Sequence, residues 1–296
     1  MTFFLNLMLA GISLGMIYAL IALGFVIILK CSAAFNIAQG YFVMLGCYLG
    51  WTFLVAYQWP IWLSIILAIV IAVALGLIIE RLALRPLLGQ PVLAIVMMTL
   101  ALANVISGGA TFIWGGVFKP AYSGVLPGIS LKIGTVSLPP ESFLGLIVSA
   151  IVVVALMLIF RYTKAGLAMR ATAEDEQVVR SSGIRVTTVY ALVWVIACVI
   201  GIVSGILEGG IVGADVSNYS LGFAAMPVVI LGGLDSLGGA IIAGLILGVL
   251  QNLAAGYLDP LIPSGNTASV FPYIVMIIVL IFKPYGLFGL KRIERI

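Results

Sequence analysis

The chain has 296 residues, 64% of them hydrophobic and only 8% charged, with a formal net charge of +4 and no histidine. A mean hydropathy of +1.31 excludes a water-soluble globular protein, whose surface could not carry so many long apolar runs. The missing histidine excludes His-ligated metals and a histidine base, and the basic residues lie in short loops rather than in a patch suited to nucleic acid.

The runs have helix-spanning length and lack strand-like alternation. They predict an all-α polytopic membrane protein, not a barrel. In chain order the spans fall at 3–29, 37–57, 60–79, 91–113, 142–160, 188–208, 221–234, 238–257 and 269–282, giving eight to nine transmembrane helices. The first run lacks a positive n-region and exceeds a signal h-region in length, so it is expected as a true first span. The Gly/Pro-rich stretch 115–141 predicts a short outer hairpin or lid, and 258–268 an outer turn. Residues 221–234 would cover only about 21 Å as a helix, short of a hydrocarbon core of about 30 Å. They are expected as a broken or re-entrant element. No second domain is visible, so 1–296 is expected as one transmembrane domain.

Basic residues orient the spans. With the loop after span five inside, Lys30, Arg81, Arg85, Arg161, Lys164, Arg170, Arg180, Arg185, Lys283, Lys291, Arg292 and Arg295 all face the cytoplasm, leaving only Lys119 and Lys132 outside. The N-terminus is then outside and the C-terminus inside. This bias also counts 221–234 as a crossing, since without it the C-terminal cluster would land outside.

The inner loop 161–187 holds the most charged internal island, "RATAEDEQVVRSSGI". Thr172 is expected to cap a short helix with Glu174, Asp175 and Glu176 in its first turn, ending at Gly183. Such a loop is either simply solvated or a docking surface for a soluble partner. The cysteines Cys31, Cys47 and Cys198 lie in or beside apolar runs and form no CxxC pair, so they are expected as packing residues.

Four segments, in order and at matching spacing, resemble one family: "NIAQGYFVMLGCYLG" (36–50), the charged island (170–184), "AAMPVVILGGLDSLGGAIIAGLILGVLQNLAAGYL" (224–258) and "KPYGLFG" (283–289). They are similar to permease subunits of ABC importers for branched-chain amino acids, of the LivH/LivM type. The resemblance implies a permease of the bacterial inner membrane for branched-chain or hydrophobic amino acids, or related small organic solutes. It implies a second permease subunit in a heterodimer, two cytoplasmic ATP-binding subunits, and a periplasmic or surface-anchored binding protein. It makes the island the ATPase-coupling element, with Arg170, Glu174, Asp175, Glu176, Arg180, Gly183 and Ile184 as its residues. The chain has no G-x-x-x-x-G-K-[ST] stretch, so ATP and magnesium belong to the partner subunits. The chain is expected to be no enzyme and to hold no cofactor of its own.

Polar residues inside hydrocarbon are costly unless paired. Asn36, Gln39, Tyr41, Thr99, Asn104, Gln251 and Asn252 are the candidates for lining a substrate pathway, or for fastening helices together. Glu208 is expected as a solvated charge at the outer end of span six. Two positions that carry acids in the resembling family, and would suit an ammonium group, are Tyr41 and Gln251. That leaves uncharged or anionic cargo open. Gly232, Gly233, Asp235, Gly238 and Gly239 are expected to form a tight inner turn, with Asp235 capping span eight. Ala240, Gly244 and Gly248 give that span a small-residue face. The two halves have the pattern of an inverted repeat with discontinuous elements at 36–50 and 221–234. The alternative reading is an ion-coupled secondary transporter, which would need an intramembrane ionisable site.

Overall fold

The computed structural model describes residues 2–32, 35–87, 89–125, 131–133, 136–262 and 266–289. Lys291, Arg292 and Arg295 of the expected inner basic cluster lie outside the described residues. In chain order the helices are α1 (Thr2–Ser32), α2 (Gln39–Trp51), α3 (Ile61–Ile79), α4 (Val92–Trp114), α5 (Pro140–Tyr162), α6 (Lys164–Glu174), α7 (Glu176–Ser181), α8 (Val186–Val212), α9 (Ser220–Gly232), α10 (Leu237–Leu258) and α11 (Thr267–Phe282). A three-residue hairpin, β1 (Leu131–Ile133) with β2 (Val136–Leu138), lies between α4 and α5, as the Gly/Pro-rich stretch predicts. Among the described residues, seven helices are long and apolar enough to cross a membrane; Val216–Gly232 and Thr267–Phe282 are shorter apolar helices. The protein is therefore an all-α polytopic membrane protein.

α1 is the central post, buried almost throughout from Gly11 to Cys31. Its contact with α10 is set by small residues on both sides. A Cβ on Gly15 would lie 2.7 Å from the Gly244 carbonyl, and one on Gly11 would lie 2.6 Å from Val249 Cα. The backbones thus touch, which is how helices associate where no hydrophobic force separates them from lipid. This is the small-residue face expected of Gly244 and Gly248. α8 makes the corresponding close contact with α3, where a Cβ on Gly76 would stand 2.6 Å from Val195 Cα. The first and third helices of each half thus pair crosswise, as an inverted repeat requires.

The second helices of the halves, α2 and α9, each have 13 residues. α2 continues through a π-helical turn, Thr52–Ala56. α9 is preceded by a 3₁₀ turn, Val216–Tyr219, capped by Asp215, whose carboxylate accepts the Ser217 N–H at 2.8 Å. The element therefore starts earlier than expected, and its 17 residues from Val216 to Gly232 reach about 25 Å.

Of the glycines expected in the inner turn, only Gly233 falls within 233–236; Gly232 ends α9, Gly238 and Gly239 open α10, and the cap also differs. Gly233 is left-handed, with φ +101, and Gly232 lies against the backbone of Gly239 and Ala240. Gly238 faces open space. Ser236, not Asp235, caps α10 by accepting the Gly239 N–H at 3.0 Å. Asp235 instead offers its backbone carbonyl to Lys30 Nζ at 3.0 Å. A serine one residue nearer the helix has the shorter reach to the third N–H, so it takes the site.

All three cysteines are buried and free, as packing residues should be. Glu208, expected as a solvated charge, is buried at 4% exposure, and its Oε2 has no hydrogen-bond partner. The next residue, Gly209, packs against Cys47 of α2 and the Tyr122 hydroxyl, so this stretch of α8 is covered rather than open to water.

Candidate functional site

The two short helices begin inside the bundle. Gln39, the first residue of α2, lies against Gly24 of α1, eight residues before that helix ends at Ser32. That is about 12 Å from the end. The preceding backbone is non-helical and is held by side chains. Asn36 Oδ1 accepts the Ala38 N–H at 3.1 Å, and Asn36 Nδ2 donates to Gln39 Oε1 at 3.3 Å. Gln39 Nε2 donates to the Ala197 carbonyl of α8 at 3.1 Å. The Ile37 N–H donates to Thr99 Oγ1 of α4 at 3.2 Å. Asn36, Gln39 and Thr99 are all buried. Asn36 and Thr99 thus satisfy two of the backbone N–H groups that a chain leaving helix inside hydrocarbon exposes, and Gln39 ties the start of α2 to α8.

Directly beside this network α2 meets α9. A Cβ on Gly222 would overlap the Gly40 backbone, and one on Gly40 would overlap the Tyr219 carbonyl. Tyr41 and Tyr219 stack with ring centroids 4.9 Å apart and planes 3° apart, and Tyr219 meets Phe223 edge-on at 6.0 Å. Tyr273 of α11 donates to the Phe223 carbonyl at 3.1 Å. Tyr41, Tyr219 and Phe223 are half-buried, so this aromatic group is partly accessible. No side chain caps the N-terminus of α2, which leaves partial positive charge near that junction.

Four candidates thus come together: Asn36, Gln39, Thr99 and Tyr41. Three do not. Asn104 is exposed on α4 and donates to the Leu100 carbonyl of its own helix at 2.9 Å. Asn252 likewise donates to Gly248 at 3.2 Å. Gln251 Nε2 donates to Tyr18 Oη of α1 at 3.2 Å, while its Oε1 is buried without a partner. Sequence reasoning missed Tyr219. The Asp215 cap signal ahead of an apolar run would have moved the element's start back far enough to include it.

A second polar feature stands at the end of the bundle where α1 finishes. α6 and α7 form a helix–turn–helix between α5 and α8. Thr163 caps α6, accepting the Gly166 N–H at 3.0 Å. The expected single helix is instead two, and Thr172 is not a cap. It lies buried inside α6 and donates to Ala168 O at 2.8 Å. The break falls at Asp175, whose carboxylate accepts the Gln177 and Val178 N–H groups at 2.8 and 3.2 Å. An Asp cap is stronger than Thr, which decides the boundary. Gly183, at φ +81, turns the chain after α7.

Met169, Thr172 and Val179 face the bundle, and Cys31 Sγ reaches the Met169 carbonyl at 3.7 Å. Arg180 pairs with Glu176, and Glu176 Oε2 also accepts from Tyr190 Oη of α8 at 3.2 Å. Arg170 donates to the Phe160 carbonyl and to Arg161 O at 3.2 Å, closing the end of α5. Glu174, Asp175 and Arg180 are exposed, together with Leu167, Val178 and Ile184. The outer side of the element is thus acids beside apolar side chains. Among the described residues, no group of three or more Cys, Asp or Glu is placed to hold a metal.

Residues 7–280 match the family model described as "Branched-chain amino acid transport system / permease component". The high-affinity branched-chain amino acid transport system permease protein LivH of Salmonella typhimurium is 31% identical over 311 residues, spanning 99% of this chain and 98% of its own. BraD of Pseudomonas aeruginosa, of the same description, is 27% identical over 312 residues, with 99% and 98% covered. Among solved structures, PsaBC from Streptococcus pneumoniae in complex with Fab superposes with a TM-score of 0.50 at 16% identity, covering 95% of this chain and 91% of that one. This last likeness speaks for the fold alone. With short paired helices meeting inside a bundle of membrane-spanning length, and relatives matched end to end, the chain belongs to the branched-chain amino acid transport system permease component family.

Proposed function

We propose that the chain is the permease subunit of an ATP-driven ABC importer in a bacterial inner membrane, with its N-terminus outside and the α6–α7 end in the cytoplasm. Two ATP-binding subunits dock on α6–α7 and supply ATP and magnesium. A second permease subunit completes the pathway, and an extracytoplasmic binding protein delivers the cargo. The observation that carries the reading is α6–α7 itself. An oily bundle keeps one capped, charged helix pair whose exposed side mixes Glu174, Asp175 and Arg180 with Leu167, Val178 and Ile184. Such a surface suits a water-soluble protein better than lipid.

The cargo is a branched-chain or hydrophobic amino acid, or a related small carboxylate. The relatives' names support this, and so does the α2–α9 junction. Helix N-termini inside a membrane attract carboxylates, and Tyr41, Tyr219 and Phe223 offer apolar surface for the remainder.

The test is ATP-dependent uptake by the assembled complex in vesicles. Uptake is expected to stop when ATP is removed and to persist when the membrane potential is dissipated. Glu174→Lys, Asp175→Lys and Glu176→Lys together are expected to reduce co-purification of the ATPase; undiminished co-purification would remove the docking role. One observation favours a second reading, an ion-coupled carrier: Glu208 is the buried intramembrane carboxyl that such a carrier needs. Uptake that follows the potential and ignores ATP would select it.

A further inference from the structure

We propose that a groove beside the end of α5 binds an anionic phospholipid from the adjoining leaflet. The groove holds about 480 Å³, within the range of about 300–1,000 Å³ typical of small-molecule sites. Val154, Leu158 and Phe160 of α5 and Leu237 of α10 supply apolar walls, and Arg161 and Arg170 line the same groove. α5 is a membrane-length helix with Arg161 in its last turn. The groove therefore passes from hydrocarbon depth to the polar boundary within a few residues.

The cations at that boundary are placed rather than scattered. Arg170 is fixed by the Phe160 and Arg161 carbonyls, and its Cζ lies 5.7 Å from the Phe160 ring centroid. Lys30 Nζ lies 5.8 Å from the same ring and is tied to the Asp235 carbonyl at 3.0 Å. Arg161 is exposed and lies over Tyr162 at 5.4 Å. One nitrogen of Arg170 makes both carbonyl contacts, so the rest of its donor fork is available for a phosphate.

An amphiphile with an acyl chain and an anionic head matches both parts of the site. The chain lies along Val154 and Leu158, and the phosphate sits between Arg161 and Arg170. A zwitterionic head would bring a cation of its own up to these arginines. A soluble phosphate would leave the apolar wall uncovered. With the orientation proposed above, the adjoining leaflet is the cytoplasmic one; the binding itself does not rest on that orientation.

The experiment uses the purified chain in detergent, with native mass spectrometry and thermal unfolding. Phosphatidylglycerol, phosphatidylcholine and glycerol phosphate are compared on the wild type, Arg161→Gln and Leu158→Trp. Phosphatidylglycerol is expected to be retained and to raise Tm, and phosphatidylcholine to do neither. Arg161→Gln is expected to weaken retention about fivefold, the effect of one interfacial cation. Leu158→Trp is expected to abolish retention by filling the groove while both arginines remain. Equal retention of the two lipids overturns the proposal, as does a full Tm shift from glycerol phosphate alone. Retention unchanged in both variants also overturns it. If the lipid leaves when the second permease subunit binds, the groove is a protein interface and the proposal falls. None of these outcomes depends on ATP-driven uptake, so failure of the transport reading would be seen separately.

Discussion

Tyr41 and Tyr219 lie face to face, 4.9 Å between centroids and 3° from parallel, and so join the start of α2 to the start of α9. Such a pair is worth about 0.5–1.5 kcal/mol beyond its buried area. In a double-mutant cycle of Tyr41→Ala and Tyr219→Ala, thermal unfolding should show a coupling of about 1 kcal/mol. Uptake by the assembled complex should fall with either change, because both rings are partly accessible at the junction proposed to receive cargo. A coupling indistinguishable from zero would mean the stack is incidental.

The crossing of α2 and α9 tolerates no side chain. Gly222→Ala would push a methyl into the Gly40 backbone, and backbone cannot swing aside as a flexible side chain can. The expected cost is about 1–3 kcal/mol, read as a lower Tm of the purified chain. Gly109→Ala is the control. It lies within α4 with nothing within 4 Å of an added Cβ, so it should stabilise the helix by about 0.5–1 kcal/mol.

The polar candidates divide by their partners. Gln39→Ala strands an Asn36 donor in a buried setting and removes the bond to the Ala197 carbonyl, which keeps its place in α8, at an expected cost of about 1–3 kcal/mol. Asn104→Ala removes an exposed side chain bonded only to its own helix and should change stability by less than about 0.5 kcal/mol. Ranking the two variants by Tm tests the division; equal losses would contradict it.

Glu208→Gln removes an ionisable group whose Oε2 is buried without a partner. Burying a lone charge is expensive, so the amide should leave Tm unchanged or higher. Under the importer reading, ATP-driven uptake continues in this variant. Loss of uptake with Tm preserved would instead give Glu208 a part in transport, as the carrier reading requires.

Asp175 separates capping from charge. Asp175→Asn keeps the acceptor that holds the Gln177 and Val178 N–H groups, while Asp175→Ala loses it. Only the alanine should expose α7 to faster amide exchange, with a local cost of about 1 kcal/mol. Reduced ATPase association in the asparagine variant would therefore report charge alone.

The spans were legible from residue order because apolar length is a local property. All nine apolar stretches became helices within a few residues of their expected limits, and the small-residue face of α10 met α1 as its spacing implied. Caps were less legible. Thr172 and Asp175, or Asp235 and Ser236, stand too close together for sequence to choose between them, and only the realised turn geometry does. Which polar residues lie inside was legible in part, since Asn36, Gln39 and Thr99 are buried as intramembrane candidates should be; their partners were not. Gln39 finds its acceptor 158 residues away at Ala197, and Ile37 finds Thr99 across 62 residues. Glu208 sits near the end of an apolar run, where a charge would ordinarily meet water, and is buried because Gly209 lets α2 and the Tyr122 loop close over that stretch. Membrane residence follows from composition, since hydrocarbon selects residues one at a time. Which polar groups are paired, stranded or open follows from distant helices meeting, because a hydrogen bond needs two partners and no single stretch of chain holds both.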